Sequence, residues 1–387
     1  MLALKVSLAL IVFGGTGSAL VLHLNLASAH KTPSSGAWPS GALPSGVLPS
    51  GVLPSGALPS GVLPSGAAQV PEDCMAVPHA CGFPDGTNTG VPSGTALRSV
   101  PGQISSGPGW HFDPHGGYVV VTARGTVLSG LYIPYNLSIQ ASDVTVQDVR
   151  VVTGGYFGIS LRHTTGVTIE DSTISGRNLT SGRVNSAIDD VYGDSTGIVI
   201  KSNNISRFRT GVQISTGLIV GNYIHNPGYI HGDHTNGIAA DRTAEPLTIY
   251  GNTVFNDLGQ TDDISLDASR SGQNVTNKIV VGNLLAGGGY SIYGGNDRHD
   301  PTSNIVIEDN DFGQLYYPQG GHYGPVAYFD PAGAGNVWSG NVWSRTSRHG
   351  KVAVLPGVRQ SGAQSGAQSG AQSGAQSGAQ SGSAAPG

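Results

Sequence analysis

The stretch Gly232-Asp-His-Thr-Asn-Gly-Ile-Ala-Ala240, followed by Pro246-Leu-Thr-Ile-Tyr-Gly-Asn252, is one turn of a repeat that runs through most of the chain. Its second half has the form apolar-x-x-Asn-x-apolar. The same form recurs with its polar residue at Ser172, Asn203, Asn222, Asn252, Asn283, Asn310 and Asn341. Most steps between these positions are 27 to 31 residues, with one step of 19. A period of this length indicates a solenoid, a propeller or an array.

The first half of each turn also repeats, as a small or polar residue followed by an apolar, β-branched one. These pairs are Gly158-Ile159, Ala187-Ile188, Gly211-Val212, Gly237-Ile238, Asp263-Ile264 and Ser291-Ile292. Each turn is therefore predicted to hold two short strands separated by Gly, Asn, Asp and Ser turns. One turn cannot bury its apolar face alone, so successive turns must stack. The sequence predicts an all-β chain with a single parallel β-helix, right-handed by the usual crossover chirality.

The repeated Asn column has a structural explanation. Asn tolerates the left-handed backbone angles that a coil corner needs, and stacked Asn side chains can hydrogen-bond to one another. We therefore expect an internal ladder of Asn side chains that stabilises the fold and takes no part in catalysis.

Composition supports this fold and excludes some functions. Of 387 residues, 60 are glycine, and only 11% are charged. The formal net charge is −5, so the chain lacks the basic surface that nucleic-acid binding needs. We expect a monomer with no nucleic-acid partner.

Residues 1–29 are predicted to be a secretory signal peptide. Lys5 is followed by an apolar run, and Ala27-Ser28-Ala29 matches an A-x-A cleavage site. The alternative is an uncleaved membrane anchor. Either assignment indicates a protein that is secreted or held at the extracellular cell surface. In such an oxidising compartment Cys74 and Cys81, which lie close in sequence, are predicted to form a local disulfide.

Four further segments follow from changes in composition. Residues 30–70 are a linker of Pro-Ser-Gly-Ala/Val-Leu repeats, for which an adhesive or assembling element is the alternative. Residues 71–104 are predicted to be a Cys-containing N-terminal cap that protects the open end of the solenoid. Residues 105–356 are the β-helix domain. Residues 357–387 are a Gln-Ser-Gly-Ala tail that cannot build a core and is predicted to be disordered.

The chain resembles a known group of proteins. Phe83-Pro-Asp-Gly-Thr-Asn-Thr-Gly-Val-Pro92, followed by coils with the Ile-x-x-Asn-x-Ile form, is similar to secreted actinobacterial proteins of the right-handed parallel β-helix, pectate-lyase-like superfamily. The resemblance covers about residues 80–345. It implies the fold, and an activity on polysaccharides among the several functions that this superfamily includes.

Alignment of the repeats predicts a group of neighbouring polar side chains. Strands one coil apart lie about 4.8 Å apart, so residues at the same slot become neighbours. The aligned slots place Asp262-Asp263 beside Asn236-Gly237. The candidate catalytic residues are Asp263, Asp262, His234, Asp233 and Arg209, and the candidate substrate-binding residues are Asn236, Gln213, Tyr290 and Tyr293.

Three chemistries fit this group. Adjacent carboxylates such as Asp262-Asp263 push one of the pair to keep its proton, as acid–base hydrolysis requires. Stacked Asp residues could instead bind Ca²⁺ in a lyase, with Arg209 or His234 as the base. The third alternative is that these side chains only cap turns. Asp263 is expected to point outward, because it occupies a slot that other coils fill with small residues.

A second acidic group contains Asp189, Asp190 and Asp194. It lies two or more coils from Asp263, which is too far for direct partnership. A solvated turn is the expected structure, and a subsite or a structural calcium site are the alternatives.

These observations lead to two functional hypotheses. The first is a secreted enzyme that cleaves an extracellular, acidic polysaccharide by lyase or hydrolase chemistry, with Ca²⁺ as the only candidate cofactor. The second is a non-catalytic surface or matrix protein that binds glycan. The Asp262-Asp263 pair resembles that of polygalacturonases, but their Gly-His-Gly and Arg-Ile-Lys motifs are absent, which favours the second hypothesis. Side chains that converge in one groove would support the enzyme, and side chains that cap turns and diverge would support the binding protein.

Overall fold

The computed structural model describes residues 73–177, 184–241, 243–267, 274–296, 301–344 and 352. All of them belong to the unit Ala68–Gly387. The predicted signal peptide, the repeat linker and the C-terminal tail lie outside the described residues.

The described residues form 28 strands and one short 3-10 helix, Pro78–Cys81. The first fourteen strands are β1 (Arg98–Ser99), β2 (Ser106–Gly107), β3 (Trp110–Asp113), β4 (Tyr118–Val121), β5 (Val127–Ile133), β6 (Asn136–Ile139), β7 (Thr145–Thr153), β8 (Phe157–Leu161), β9 (Thr168–Glu170), β10 (Thr173–Gly176), β11 (Ser186–Asp190), β12 (Val199–Lys201), β13 (Asn204–Ser206) and β14 (Thr210–Gln213). The others are β15 (Gly217–Val220), β16 (Tyr223–His225), β17 (Asn236–Ala239), β18 (Leu247–Tyr250), β19 (Thr253–Asn256), β20 (Asp262–Ser265), β21 (Thr276–Val281), β22 (Leu284–Gly287), β23 (Tyr290–Tyr293), β24 (Ser303–Glu308), β25 (Asp311–Phe312), β26 (Gly324–Ala327), β27 (Val337–Ser339) and β28 (Val342–Trp343).

The strands lie in two sheets. Sheet B consists of β2, β3, β4, β6, β8, β11, β14, β17, β20, β23 and β26, and sheet A contains the other strands. From β4 onward each strand pairs in parallel with its counterpart one coil away. Each later coil gives one strand to sheet B and two to sheet A, so the chain is a parallel β-helix, as predicted. The pattern predicted two strands per turn, but the Asn corner divides the second of them into two.

The core is a stack of identical apolar slots. Ile188 pairs with Ile159 on one side and Val212 on the other, and Ile238 pairs with Ile264 in the same column. These side chains are fully buried. Each contributes roughly 2 kcal/mol of hydrophobic stabilisation, which makes the repeated slot the main stabilising element of the coil.

The predicted Asn ladder is present at the corner between the two sheet A strands of each coil. In the case of Asn252, the side-chain amide donates to Asn283 Oδ1 at 3.0 Å and to the Ile219 carbonyl at 3.0 Å. Its own Oδ1 accepts from the backbone and side-chain nitrogens of Asn222, both at 2.9 Å. The same contacts link Asn203, Asn222, Asn283, Asn310 and Asn341, and all of these side chains are buried. The ladder satisfies polar backbone groups that each corner would otherwise bury unpaired.

The predicted cap at residues 71–104 has two parts, which are an irregular segment at its start and strand β1 near its end. Residues 74–91, which we call the lateral segment, run along the side of the β-helix and contain the predicted disulfide between Cys74 and Cys81. At one end of this segment Met75 packs against Phe255, and at the other Val91 donates its backbone N–H to Thr173 Oγ1 at 3.1 Å. The lateral segment therefore covers the outer side of the third strands of several coils.

The first end of the β-helix is covered partly by the predicted cap, in which β1 pairs with β5 and Val100 joins the core. Strands β2 and β3 form an antiparallel hairpin that pairs with β4, and Trp110 of this hairpin joins the core. At the other end, Trp338 Nε1 donates to the carbonyl of Val352 at 3.0 Å. Antiparallel pairing and bulky side chains thus end the parallel stack where its apolar interior would meet water.

Candidate functional site

The outer face of sheet B is the surface on which the predicted site residues were expected. The residue after each core Ile or Val points away from the core, because side chains alternate along a strand. These residues align from coil to coil and form what we call the outer row: Ser138, Ser160, Asp189, Gln213, Ala239, Ser265 and Tyr293. Gln213 and Tyr293, two of the candidate substrate-binding residues, both occur in this row, three coils apart.

The predicted neighbours Asn236 and Asp262 pair across β17 and β20. With its amide oriented to donate, the nitrogen of Asn236 lies 3.2 and 3.1 Å from the two carboxylate oxygens of Asp262. Burial raises the pKa of Asp262 well above its ordinary value, and the nearby carboxylates of Asp267 and Asp263 act in the same direction. Asp262 is therefore a buried carboxyl, held by one amide, that favours its protonated form.

Asp263 does not point outward, contrary to the sequence prediction. Its side chain is 0% exposed, and it lies beside the Ser291 hydroxyl and the backbone of Asn256, whose hydrogen bonds lower the pKa of Asp263 against the larger effect of burial. The slot it occupies faces inward: a Cβ atom on Gly237 would clash with the core residue Val254. Other coils keep small residues there because the facing strand is close. Burial raises the pKa of Asp263 well above its ordinary value.

Asp233 takes part in the turn that precedes β17. Asp233 Oδ2 accepts the backbone N–H of Ile230 at 3.0 Å, and the Asp233 N–H donates back to the Ile230 carbonyl at 3.0 Å. Asp233 is buried, and His234 beside it is half-buried. The hydrogen bonds of Asp233 match the turn-capping alternative for this residue.

Arg209 lies beside a different acidic residue from the one predicted. Its backbone joins the predicted group, since the Arg209 carbonyl accepts the N–H of Asn236 at 2.9 Å. Its charge, however, acts on Asp189, whose pKa it lowers. Arg209 is therefore placed between the predicted group and Asp189.

Tyr290 and Tyr293 occur in an aromatic group near the last coil of sheet B, which we call the tyrosine cluster. Tyr290 and Tyr293 meet edge to face with ring centres 5.7 Å apart. Tyr323 packs on Tyr290 at 5.7 Å, and Tyr328 stacks on Tyr293 at 5.4 Å. Tyr293 was expected to be exposed but is only 4% exposed, whereas Tyr323 is 44% exposed. Tyr290 and Tyr323 thus offer the accessible rings.

Asp189 is the acidic residue that the sequence placed in a solvated turn. It stands in the outer row between Ser160 and Gln213 and is 6% exposed. Burial raises the pKa of Asp189 to about 6, and the carboxylates of Asp241 and Asp190 act in the same direction. The signal was available in the sequence, because Asp189 follows the core residue Ile188 and must therefore point outward.

The neighbours of Asp189 in sequence have separate roles. Asp190 caps the following turn by accepting the backbone N–H of Ser195 at 3.0 Å and its hydroxyl at 2.8 Å. Asp194 is exposed and lies 2.6 Å from Nδ1 of His163. The predicted second acidic group is therefore three carboxylates with three different environments.

Lys278 is a buried cation that the sequence analysis missed. It lies on β21 between Leu247 and Ile305, at a position that the neighbouring coils fill with apolar residues. Its ammonium donates to the Ser215 carbonyl at 3.0 Å, to the Thr243 hydroxyl at 3.1 Å and to the Glu245 carbonyl. Burial lowers the pKa of Lys278 to about 8. Lys278 thus ties together two loops that follow sheet B strands.

A cavity of about 640 Å³ opens on the outer face near the first coils. Its lining includes Ser138 and Ser160 of the outer row, together with Tyr118, Arg162 and Tyr192. No motif in the sequence indicated it, because its lining comes from several coils and from a turn. It lies at the opposite end of the outer row from the tyrosine cluster.

Comparison of the chain with protein-family models, with curated proteins and with solved structures gave no match. Within the described ranges, no three His, Cys, Asp or Glu side chains are grouped so that they could hold a metal ion. In the same part of the chain, no helix has the length and apolar character needed to cross a membrane.

Proposed function

We propose that the protein binds an extended extracellular polysaccharide along the outer face of sheet B. The observation that carries the proposal is the outer row itself, which is polar or aromatic in nearly every coil and ends in the 640 Å³ cavity at one side and the tyrosine cluster at the other. Seven coil steps separate β4 from β23, so the face is roughly 34 Å long. A surface of that length suits a polymer better than a small molecule.

Binding is favoured over the catalytic group first predicted. Asp233 accepts a backbone N–H in its own turn, and Asp233, Asp262 and Asp263 are all buried, which favours structural roles for these carboxylates. Hydroxyls, amides and aromatic rings, by contrast, line the face in the way that glycan recognition requires. The A-x-A pattern at Ala27-Ser28-Ala29 supports an extracellular location for this function.

Cleavage of the bound polymer is the second candidate function, and Asp189 is the observation that favours it. A carboxyl with a pKa of about 6 can hold and release a proton near neutral pH, which is what a general acid needs. Arg209 and Asp241 act on the same carboxyl. The acid–base group of such an enzyme would thus be Asp189 instead of Asp262 or Asp263.

The test is incubation of the full chain with a panel of neutral and acidic polysaccharides, with and without EDTA. Binding is measured by affinity electrophoresis, and cleavage by new reducing ends and by the absorbance of unsaturated products. We expect retention on at least one polymer. Retention with no cleavage supports the binding protein. Cleavage that is lost in Asp189→Asn, with retention unchanged, supports the enzyme. Absence of retention and cleavage across the panel would contradict both.

A further inference from the structure

The cavity at the first coils of sheet B differs in charge from the rest of the outer face. Its lining contains Arg162 and His163, and among the described residues that line it there is no carboxylate. Asp189 lies one coil beyond the cavity residue Ser160 on the same face, Asp262 lies farther along, and the whole chain has a net charge of −5. A cavity that contains a guanidinium in an acidic protein is suited to a negatively charged ligand.

Tyr192 holds the side chains of Arg162 and His163 in place. Arg162 Nη1 donates to the Tyr192 hydroxyl at 3.1 Å, and the guanidinium carbon lies 5.7 Å from the centre of that ring. His163 stacks on Tyr192 with ring centres 4.2 Å apart and planes 5° from parallel. Asp194 fixes the other side of the imidazole at 2.6 Å from Nδ1. Contacts of this kind keep a binding group ordered before its ligand arrives, which reduces the entropy cost of binding.

Arg162 retains the capacity to bind an anion. A guanidinium has five N–H donors in a planar fork that matches a carboxylate. Within the described residues, Arg162 forms no ion pair, since Asp194 pairs with His163. The cavity also contains the hydroxyls of Ser138 and Ser160 and the ring of Tyr118, which suit the hydroxyls and the faces of a sugar. Its volume falls in the range of ordinary small-ligand sites.

We propose that this cavity binds one anionic sugar residue of the polymer and that Arg162 recognises its charge. The inference rests on the proposed polysaccharide binding and adds a chemical class to it, a uronate carboxylate or a sulfate ester. The acidic unit sits at the end of the face nearest the N-terminus, while the tyrosine cluster contacts the polymer elsewhere.

The experiment measures binding of the full chain to three oligosaccharides of equal length by calorimetry. They are an oligouronide, its carboxyl-reduced neutral form and a sulfated neutral form. We expect at least one acidic form to bind tenfold or more tightly than the neutral form, with a preference that weakens as salt is added. The acidic form that binds identifies the anion. Arg162→Gln should abolish the preference and leave the affinity for the neutral form unchanged, and Arg162→Lys should keep part of it.

Arg124→Gln is the matched control, because Arg124 is exposed and paired with Asp143 away from the cavity. It should bind all three oligosaccharides as the unmodified chain does. An acidic preference that survives in Arg162→Gln would overturn the inference and leave polysaccharide binding intact. Competition by sodium sulfate or acetate as strong as that of the acidic oligosaccharide would show a simple anion site and overturn it too. If none of the three forms binds, the proposed function itself fails.

Discussion

The Asn corner of sheet A and the outer row of sheet B are made by the same repeat, but they use it in opposite ways. At the corner, Asn203 through Asn341 repeat one residue type and one set of hydrogen bonds. In the outer row, the residue type changes at most steps, among Ser, Asp, Gln, Ala and Tyr. The corner is repeated because each coil imposes the same geometric demand there. The outer row is varied because the apolar core does not fix its residue types, although most of its side chains are buried.

The largest effect on stability is expected when a ladder residue is replaced. Asn252→Leu would leave the buried backbone N–H of Asn222 without its acceptor, and it would remove one hydrogen bond each from the Asn222 amide, the Ile219 carbonyl and Asn283 Oδ1. At ~1–3 kcal/mol for the unpaired N–H and ~1 kcal/mol for each of the other lost hydrogen bonds, and with some relaxation, we expect a loss of ~3–5 kcal/mol in the free energy of unfolding. Urea unfolding measures it. Gln213→Leu, in the outer row, should change the same quantity by less than ~1 kcal/mol. Equal losses in the two variants would contradict the comparison.

The next largest effect is a pH-dependent gain in the free energy of unfolding when the carboxylate of Asp189, in the outer row, is replaced by a neutral amide. Since burial raises the pKa of Asp189 to about 6, this carboxyl adds stability below about pH 4, and that stability is lost as the pH rises through 6. The difference from the ordinary value corresponds to ~3 kcal/mol at pH 7. Asp189→Asn should therefore raise the free energy of unfolding at pH 7 by up to ~3 kcal/mol and have little effect at pH 4.

The control for this gain is Asp309→Asn, which changes an exposed carboxyl in a turn with φ of 51° that Asn also tolerates. Urea midpoints for both variants between pH 4 and pH 7 give the comparison. A gain in Asp189→Asn that is the same at every pH, or that also occurs in Asp309→Asn, would show that the buried charge is not its cause.

The comparison also explains which features could be predicted from the sequence. The fold, the ladder and the pairing of Asn236 with Asp262 follow from repeats, and the interior imposes those repeats. Asp263 was misplaced because the slot before each core Ile or Val is buried and is skipped in the pairing register, so that Asp263 and Ile264 are both buried and the usual alternation fails. The path of the lateral segment and the burial of Tyr293 under Tyr328 depend on contacts between distant residues, which no local pattern records.

A smaller effect is expected at the tyrosine cluster. Tyr323→Ala removes an exposed ring that packs on Tyr290, at the far end of the face from the cavity. We expect a several-fold loss of affinity, about 1 kcal/mol, for oligosaccharides long enough to span the face, and none for short ones. Tyr250→Ala is the control, because Tyr250 is similarly exposed, at 46%, but lies on sheet A. Calorimetric titration over a series of chain lengths tests this, and a loss that does not depend on length would place the ring outside the polymer path.

The smallest effect is expected at Asp263, although the sequence singled it out as the main catalytic candidate. Its inward slot is closed to a ligand on the outer face, and burial already disfavours its charged form, as the raised pKa indicates. Asp263→Asn replaces that carboxyl with a neutral group of the same size. We therefore expect affinity for the polymer within about twofold of the unmodified chain and no fall in melting temperature at pH 7. Asp262→Asn changes a carboxyl one residue away that is hydrogen-bonded to Asn236, and it is measured in the same titration for comparison. Loss of binding or turnover in Asp263→Asn with the fold intact would mean that the interior of this coil opens to the ligand, and the division between a repeated interior and a varied outer face would then fail at this coil.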